Sequence, residues 1–132
     1  MRSVRKCGER GAITVWTAVV LIGFIVIIGI GVDFSGHTRA TQEARGIAAE
    51  AARAGQQHLG LTDGRLSPEP DVAKKAAEKY VAASRFRGTA QMIGGTVIEV
   101  KVTGEYTCMF LNIIGIRTLP VRAEGTSELH SS

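Results

Sequence analysis

The side chains that carry most chemistry in enzymes and metal sites are few in this sequence and lie far apart. The three histidines are His37, His58 and His130. No two of them have the spacing of a metal-binding motif. Ser35-Gly36 and Ser84 stand in no nucleophile motif, and no glycine-rich phosphate loop follows a strand. The sequence therefore predicts no enzyme, no metal site and no cofactor.

The two cysteines, Cys7 and Cys108, lie on opposite sides of a long apolar segment. If that segment crosses a membrane, the two thiols cannot pair within one chain. Cys7 precedes the segment, which is not the position of a lipoprotein acceptor. For Cys108 a free, buried thiol is expected, and an intermolecular disulfide is the alternative.

The stretch "ERGAITVWTAVV", residues 9–20, has two interpretations: the start of a membrane anchor, or a signal that is cut between Gly11 and Ala12. A secretory signal usually has an apolar region of about 7–15 residues followed by small residues at the cleavage site. Here the apolar run is longer and is followed by "DFSGHTRATQ". An uncleaved signal-anchor is therefore favoured over a secreted protein whose span is removed.

The apolar run itself contains no charged residue over positions 11–32. As a helix, about 22 residues span roughly 33 Å, close to the thickness of a bilayer core. Thr14 and Thr17 are expected to donate their hydroxyls to backbone carbonyls of the helix, and Trp16 to lie near the headgroups. The run predicts a transmembrane helix over residues 12–32.

Basic residues are concentrated before this helix, in a chain of 132 residues with a formal net charge of +4. The cluster consists of Arg2, Arg5, Lys6 and Arg10. Such a cluster next to a span marks the cytoplasmic side, which explains the charge without a nucleic acid partner. The sequence predicts a single-pass protein of the cytoplasmic membrane, with a leader over 1–11 inside, everything after Asp33 outside, and the lipid bilayer as partner.

Residues 33–59 are rich in Ala, Gln, Glu and Arg, and they predict a helix that continues the span. Small or apolar side chains recur along it every three or four residues, at Ala40, Ala44, Ile47, Ala51 and Ala54. This stripe either packs on the protein's own domain or permits the close approach of a second helix.

The segments "RGAITVWTAVV" and "VDFSGHTRATQEARGIAAEAARAG" resemble the N-terminal region of the TadE/TadG-like pilus-assembly proteins. The resemblance is carried by Val32-Asp33 at the membrane exit, by Gly36 beyond it, and by the Ala-rich run. It implies a membrane-anchored, pseudopilin-like structural component of a tight-adherence (Flp-type) pilus assembly or secretion system. It also implies an assembly ATPase and a membrane platform as partners, and no catalytic residues.

Gly11-Ala12 is, by the same resemblance, a candidate prepilin-type processing site. Family members processed in this way usually carry Glu at the fifth position after the cut, where this chain has Trp16. A buried Glu is costly in lipid, and in pilins the new N-terminal amine of a neighbouring subunit offsets that cost. Trp16 cannot form this pair, so the sequence predicts that the chain is not cut.

The second half of the chain predicts a small extracytoplasmic domain over 60–132, which begins with a turn-rich connector over 60–70. A helix follows over 71–86, with a predicted inner stripe of Val72, Ala76, Tyr80 and Ala83, widened by Ala73, Ala77 and Val81. Alternating apolar and polar residues predict strands over 95–106 and 116–126, and Pro120 makes the second an edge strand or delays its start. The fold class is α+β: the transmembrane helix continues into the Ala-rich helix, and one helix then packs on a two- or three-stranded antiparallel sheet.

Between those strands lies "TCMFLNIIGI", which is either a third strand or a short helical turn. The candidate partner contacts in it are Met109, Phe110, Ile113 and Ile114. They form either an exposed surface, for a partner or for self-association, or a part of the core, since a domain this small has little interior.

Two functions fit these features: the pseudopilin-like component, and a single-pass membrane anchor of a small extracytoplasmic protein-binding domain unrelated to pili. The Ala-rich helix joins the span directly, which favours the first. A flexible linker after Val32 would have favoured the second.

Overall fold

The computed structural model describes residues 6–59 and 70–128. They form helix α1 (Lys6–Leu59), helix α2 (Pro70–Ala82), strands β1 (Arg87–Ile93) and β2 (Val97–Thr107), a 3₁₀ turn (Leu111–Ile114) and strand β3 (Thr118–Glu128). The sheet is antiparallel with the order β1-β2-β3. The predicted α+β class is confirmed: a long apolar N-terminal helix, a short second helix and a three-stranded antiparallel sheet.

Helix α1 is one uninterrupted helix of 54 residues, which makes it about 81 Å long. Within the described residues it is the helix long and apolar enough to cross a membrane, and most side chains of its apolar part are exposed. Thr14 Oγ1 donates to the Arg10 carbonyl (2.9 Å) and Thr17 Oγ1 to the Ile13 carbonyl (2.8 Å), as predicted. Neither hydroxyl therefore needs water as a partner.

The second half of α1 packs across one face of the sheet, beside α2. Its buried alanines are Ala40, Ala44, Ala48, Ala51 and Ala52. The apolar side chains that they meet come from the inner face of the sheet and include Ile98, Val100, Val102, Val121 and Ala123. The other face of the sheet is exposed and polar. The alanine stripe thus packs on the protein's own sheet, which is the first of the two predicted alternatives.

Glycine brings α1 and the sheet unusually close together. A Cβ atom at Gly125 of β3 would overlap the backbone of Ala48 in α1. A Cβ at Gly55 of α1 would lie 2.9 Å from the carbonyl oxygen of Ala73 in α2. Small residues on both sides therefore permit helix–strand and helix–helix distances that larger side chains would prevent.

Two predicted details differ from the structure, and one alternative that the sequence left open is decided. The third strand is β1, whose inward positions are the small Gly88 and Ala90 and the half-buried Met92, so its apolar alternation is weak. The segment "TCMFLNIIGI" instead contains the 3₁₀ turn, which confirms the helical alternative. Helix α2 ends at Ala82 rather than at residue 86.

The inner stripe of α2 is also shifted by one residue from the prediction. Ala73, Ala77 and Val81 are buried, whereas Val72 and Tyr80 are exposed. The close approach of α1 at Gly55 selects the small side chains of α2 for the contact, and the larger ones are turned away. The predicted edge position of the Pro120 strand is confirmed, because β3 lies at the edge of the sheet.

Strands β2 and β3 run along α1 in opposite directions. Pro120 contacts α1 at His37, and Glu128 contacts it at Gln56. These points are about 28 Å apart on the helix and about 27 Å apart on the strand, so the two elements are nearly parallel. The β2–β3 connection therefore lies at the end of the sheet nearest the apolar half of α1, and the β1–β2 turn lies at the far end.

Candidate junction between the apolar helix and the sheet

Asp33 is the centre of the contact between α1 and the β2–β3 connection. Its side chain is 0% exposed, although it is charged. Its Oδ1 accepts the backbone N–H of Met109 (2.8 Å), and its Oδ2 accepts those of Phe110 (2.9 Å) and Leu111 (2.7 Å). We call this carboxylate and its three N–H donors the Asp33 clamp.

The clamp replaces the cap that the 3₁₀ turn lacks. The first N–H groups of a helical turn have no partner within the turn, and a polar side chain just before it usually accepts them. Here that position is Phe110, which makes no side-chain cap hydrogen bond. Asp33 supplies the acceptor from a helix 76 to 78 residues earlier in the chain. Its negative charge also suits the positive end of the turn.

The environment of Asp33 keeps its carboxyl group ionised. Burial raises the pKa of Asp33, but the three backbone hydrogen bonds together lower it by more, so the pKa lies below the ordinary value of 3.8. Burial also raises the pKa of the neighbouring Cys108 thiol, and the negative charge of Asp33 adds to that effect. Within the described residues Cys108 is a buried thiol that forms no disulfide, and it is protonated at neutral pH.

Two glycines of α1 make room for aromatic rings on either side of the clamp. A Cβ at Gly29 would lie 2.6 Å from Cδ1 of Phe110, so the Phe110 ring lies directly on the helix backbone there. A Cβ at Gly36 would overlap the hydroxyl of Tyr106. Both contacts need glycine because each ring occupies the space of the missing side chain.

His37 adds a polar contact one turn beyond the clamp. Its Nε2 lies 2.9 Å from the carbonyl oxygen of Pro120. Its ring meets that of Tyr106 edge to face, with centroids 6.4 Å apart and planes at 76°. The start of β3 and the end of β2 are thus both attached to the same turn of α1.

The predicted site residues fall into three groups. Gly11 and Ala12 lie on the exposed surface of α1, and a Cβ at Gly11 would meet nothing within 4 Å. Of the predicted exit motif, Val32 is exposed, whereas Asp33 and Gly36 belong to the junction. The four candidate partner contacts, Met109, Phe110, Ile113 and Ile114, have exposed side chains, so they are not part of the core. Arg2 and Arg5 of the predicted basic leader, His130, and the predicted connector up to residue 69 lie outside the described residues.

Sequence reasoning missed Gly29, His37 and Tyr106 as parts of the junction. The signal in the sequence is weak: Gly29 and Gly36 are seven residues apart and so lie on the same face of α1 as Asp33. The partners of that face come from strands that contact α1 only in the folded chain.

The described residues present no catalytic constellation. A shallow groove on the sheet is lined by Arg85, Arg87, Arg122 and Glu105 among others, but it contains no histidine or cysteine. Within residues 6–59 and 70–128, no three His, Cys, Asp or Glu side chains lie close enough together to hold a metal ion. The arrangement fits a structural contact between two parts of the chain.

Comparison with protein-family models gives a match. Residues 11–74 match the model of a family described as Flp pilus-assembly TadE/G-like, which confirms the resemblance drawn from the sequence. The matched range contains Asp33, Gly36 and the alanine stripe, whereas the sheet lies outside it. No curated protein and no solved structure matches the chain.

Proposed function

We propose that this chain, whose residues 11–74 match the model of the TadE/G-like Flp pilus-assembly family, is a membrane-anchored, pseudopilin-like structural component of the tight-adherence pilus assembly or secretion system. One observation carries the proposal. Helix α1 passes without interruption from an exposed apolar half to a half whose alanines are buried in the sheet. A single rigid element therefore joins the anchor to the folded unit.

In this proposal residues 12–32 cross the cytoplasmic membrane, with the basic leader inside and the sheet outside. The basic residues before the span support this orientation through the positive-inside rule. The apolar half of α1 is exposed over most of its surface, apart from the contact of Gly29 with the Phe110 ring, as expected for a helix surrounded by lipid.

The junction supports a structural role over that of a flexibly tethered binding domain. The Asp33 clamp, the two glycine–aromatic contacts and the His37 contact all attach the sheet to α1 within about two turns of the predicted exit. The sheet is then held at one angle to the span. Such a rigid unit suits assembly with other pilus components in the membrane, including the assembly ATPase and the membrane platform that the family implies.

The proposal is tested by deleting the gene in the source organism and counting surface pili by electron microscopy. We expect loss of pili, recovery with the wild-type chain, and no recovery with Asp33→Ala, which removes the clamp. Glu50→Ala is the matched control, since Glu50 is an exposed carboxylate of the same helix that, among the described residues, pairs with Arg53. Normal pili in the deletion strain would contradict the proposal and support an anchor unrelated to pili.

A further inference from the structure

We infer that the β2–β3 connection is a second membrane-embedded element, whose apolar side chains insert into the outer leaflet beside α1. We call residues 109–116, "MFLNIIGI", the apolar loop. The inference rests on the proposed span over residues 12–32, and it adds a lipid contact that the span alone does not require.

The apolar loop is exposed to a degree that is unusual for such side chains. Met109 is 70% exposed, Ile113 81% and Ile114 72%, and the loop contains no charged residue. A contiguous apolar surface of this kind marks a membrane or protein contact. Arg117 follows the loop directly, at the position where a basic side chain would meet anionic headgroups.

The depth of the loop points to lipid. The Phe110 ring lies on Gly29, four residues before Asp33 in α1 and therefore about 6 Å closer to the middle of the span. On α1 at this level, Ile28 and Ile30 are exposed and would face the acyl chains. The apolar surface of the loop is thus continuous with the apolar surface of the anchor, and one bilayer would cover both.

The backbone of the loop is also suited to an environment with little water. A backbone N–H in lipid needs a partner within the protein. The Asp33 clamp accepts those of Met109, Phe110 and Leu111. Further along the loop, the N–H groups of residues 113, 115 and 116 donate to loop carbonyls at 3.0–3.1 Å.

The far end of the sheet, at the β1–β2 turn, lacks a comparable apolar surface among the described residues. The β1–β2 turn consists of Gly94, Gly95 and Thr96, and its flanking Ile93 is a single exposed apolar residue. The extended apolar surface therefore occurs at the end of the sheet that faces the span. Ile93 serves as a matched control, because it is apolar, exposed and about 30 Å further from the predicted exit.

The test uses the full chain in vesicles of phosphatidylethanolamine and phosphatidylglycerol, at a high ratio of lipid to protein that separates the chains. In a background of Cys7→Ser and Cys108→Ala, a polarity-sensitive fluorophore is attached at Ile113→Cys, at Ile114→Cys or at Ile93→Cys. We expect the two loop labels to show blue-shifted emission, quenching by nitroxide lipids, and protection from aqueous iodide. The label at residue 93 should show no blue shift, little quenching by nitroxide lipids, and efficient quenching by iodide.

Loop labels that iodide quenches as well as it quenches the label at residue 93 would overturn the inference. So would loop labels shielded from both iodide and nitroxide lipids, which would identify a protein contact such as self-association. Flotation of the vesicles separates this result from the proposed function. A chain that floats with the lipid while its loop remains in water contradicts the inference alone, whereas a chain that does not float contradicts the span as well.

Discussion

The carboxylate of Asp33 accepts the backbone N–H of Leu111 at 2.7 Å, across 78 residues of sequence. Two further N–H groups share the same carboxylate, and the side chain is fully buried. A buried charge is tolerated when hydrogen bonds satisfy it, and its removal leaves the donors without a partner. The predictions below follow from this contact and from the close packing beside it.

Asp33→Asn should loosen the β2–β3 connection, and Asp33→Ala should loosen it more. The amide offers one acceptor oxygen in place of two, and alanine offers none, so buried N–H groups lose their partners. Because Cys108 lies beside the clamp, its labelling rate in a Cys7→Ser background measures this local opening. We expect the rate to rise on the order of tenfold or more for Asp33→Ala. An unchanged rate, equal to that of the control Glu50→Ala, would show that the clamp stabilises nothing.

The stability of the junction should fall in acid through the same carboxylate. The pKa of Asp33 is lower in the folded chain than its ordinary value of 3.8. A group with a depressed pKa contributes stability that is present above the unfolded pKa and is lost as the pH falls through the folded one. We therefore expect Asp33 to contribute fully at neutral pH and progressively less below about pH 4. The difference in unfolding free energy between wild type and Asp33→Asn should shrink below that pH, and a constant difference would contradict the assignment.

Gly125→Ala should destabilise the packing of α1 on the sheet by about 1–3 kcal/mol, because overpacked interiors must shift to relieve the overlap. The new methyl would overlap the backbone of Ala48, which cannot move like a side chain. Gly46→Ala is the matched control, since a Cβ there meets nothing within 4 Å. It should stabilise the helix by up to about 1 kcal/mol. Urea unfolding of the full chain in detergent measures the change in unfolding free energy for both variants. Equal changes would contradict the close approach of α1 to β3 at Gly125.

The sequence predicted those parts of the fold that depend on local patterns. The uncharged run over 11–32, the alanine stripe and the alternation in β2 and β3 are each visible along the chain, and the structure contains the corresponding elements. Strand β1 was missed because its inward Gly88 and Ala90 fit beneath α2 and carry almost no apolar signal. The stripe of α2 was misassigned because hydrophobicity favours Val72 and Tyr80, whereas the narrow gap to Gly55 admits only small residues.

The sequence predicted some residues of the junction but not their partners. Asp33 and Gly36 stood out by their position after the span, but a sequence pattern cannot assign their partners in β2 and the apolar loop. Those partners are determined by the direction in which the strands cross α1, which is a property of the packed chain. The sequence also could not decide whether the apolar loop is exposed or buried, because the same apolar residues occur both in protein cores and on contact surfaces.

The two cysteines should report the orientation of the chain. With the cell wall made permeable, a membrane-impermeant thiol reagent applied to intact cells should not label Cys7, which precedes the span. Cys108 is buried and has a raised pKa, so it should react only after mild unfolding of the exposed unit. Labelling of Cys7 in sealed cells would reverse the proposed orientation.

The central claim is that residues 12–32 form an uncut anchor that keeps the protein in the membrane. Its most direct test is the intact mass of the protein extracted from membranes that have been washed with alkaline carbonate. We expect the mass of the full chain, because Trp16 stands where processed pilins carry the acid and the basic leader resists extraction from the bilayer. A chain that begins at Ala12, or a protein released by the wash, would contradict the claim.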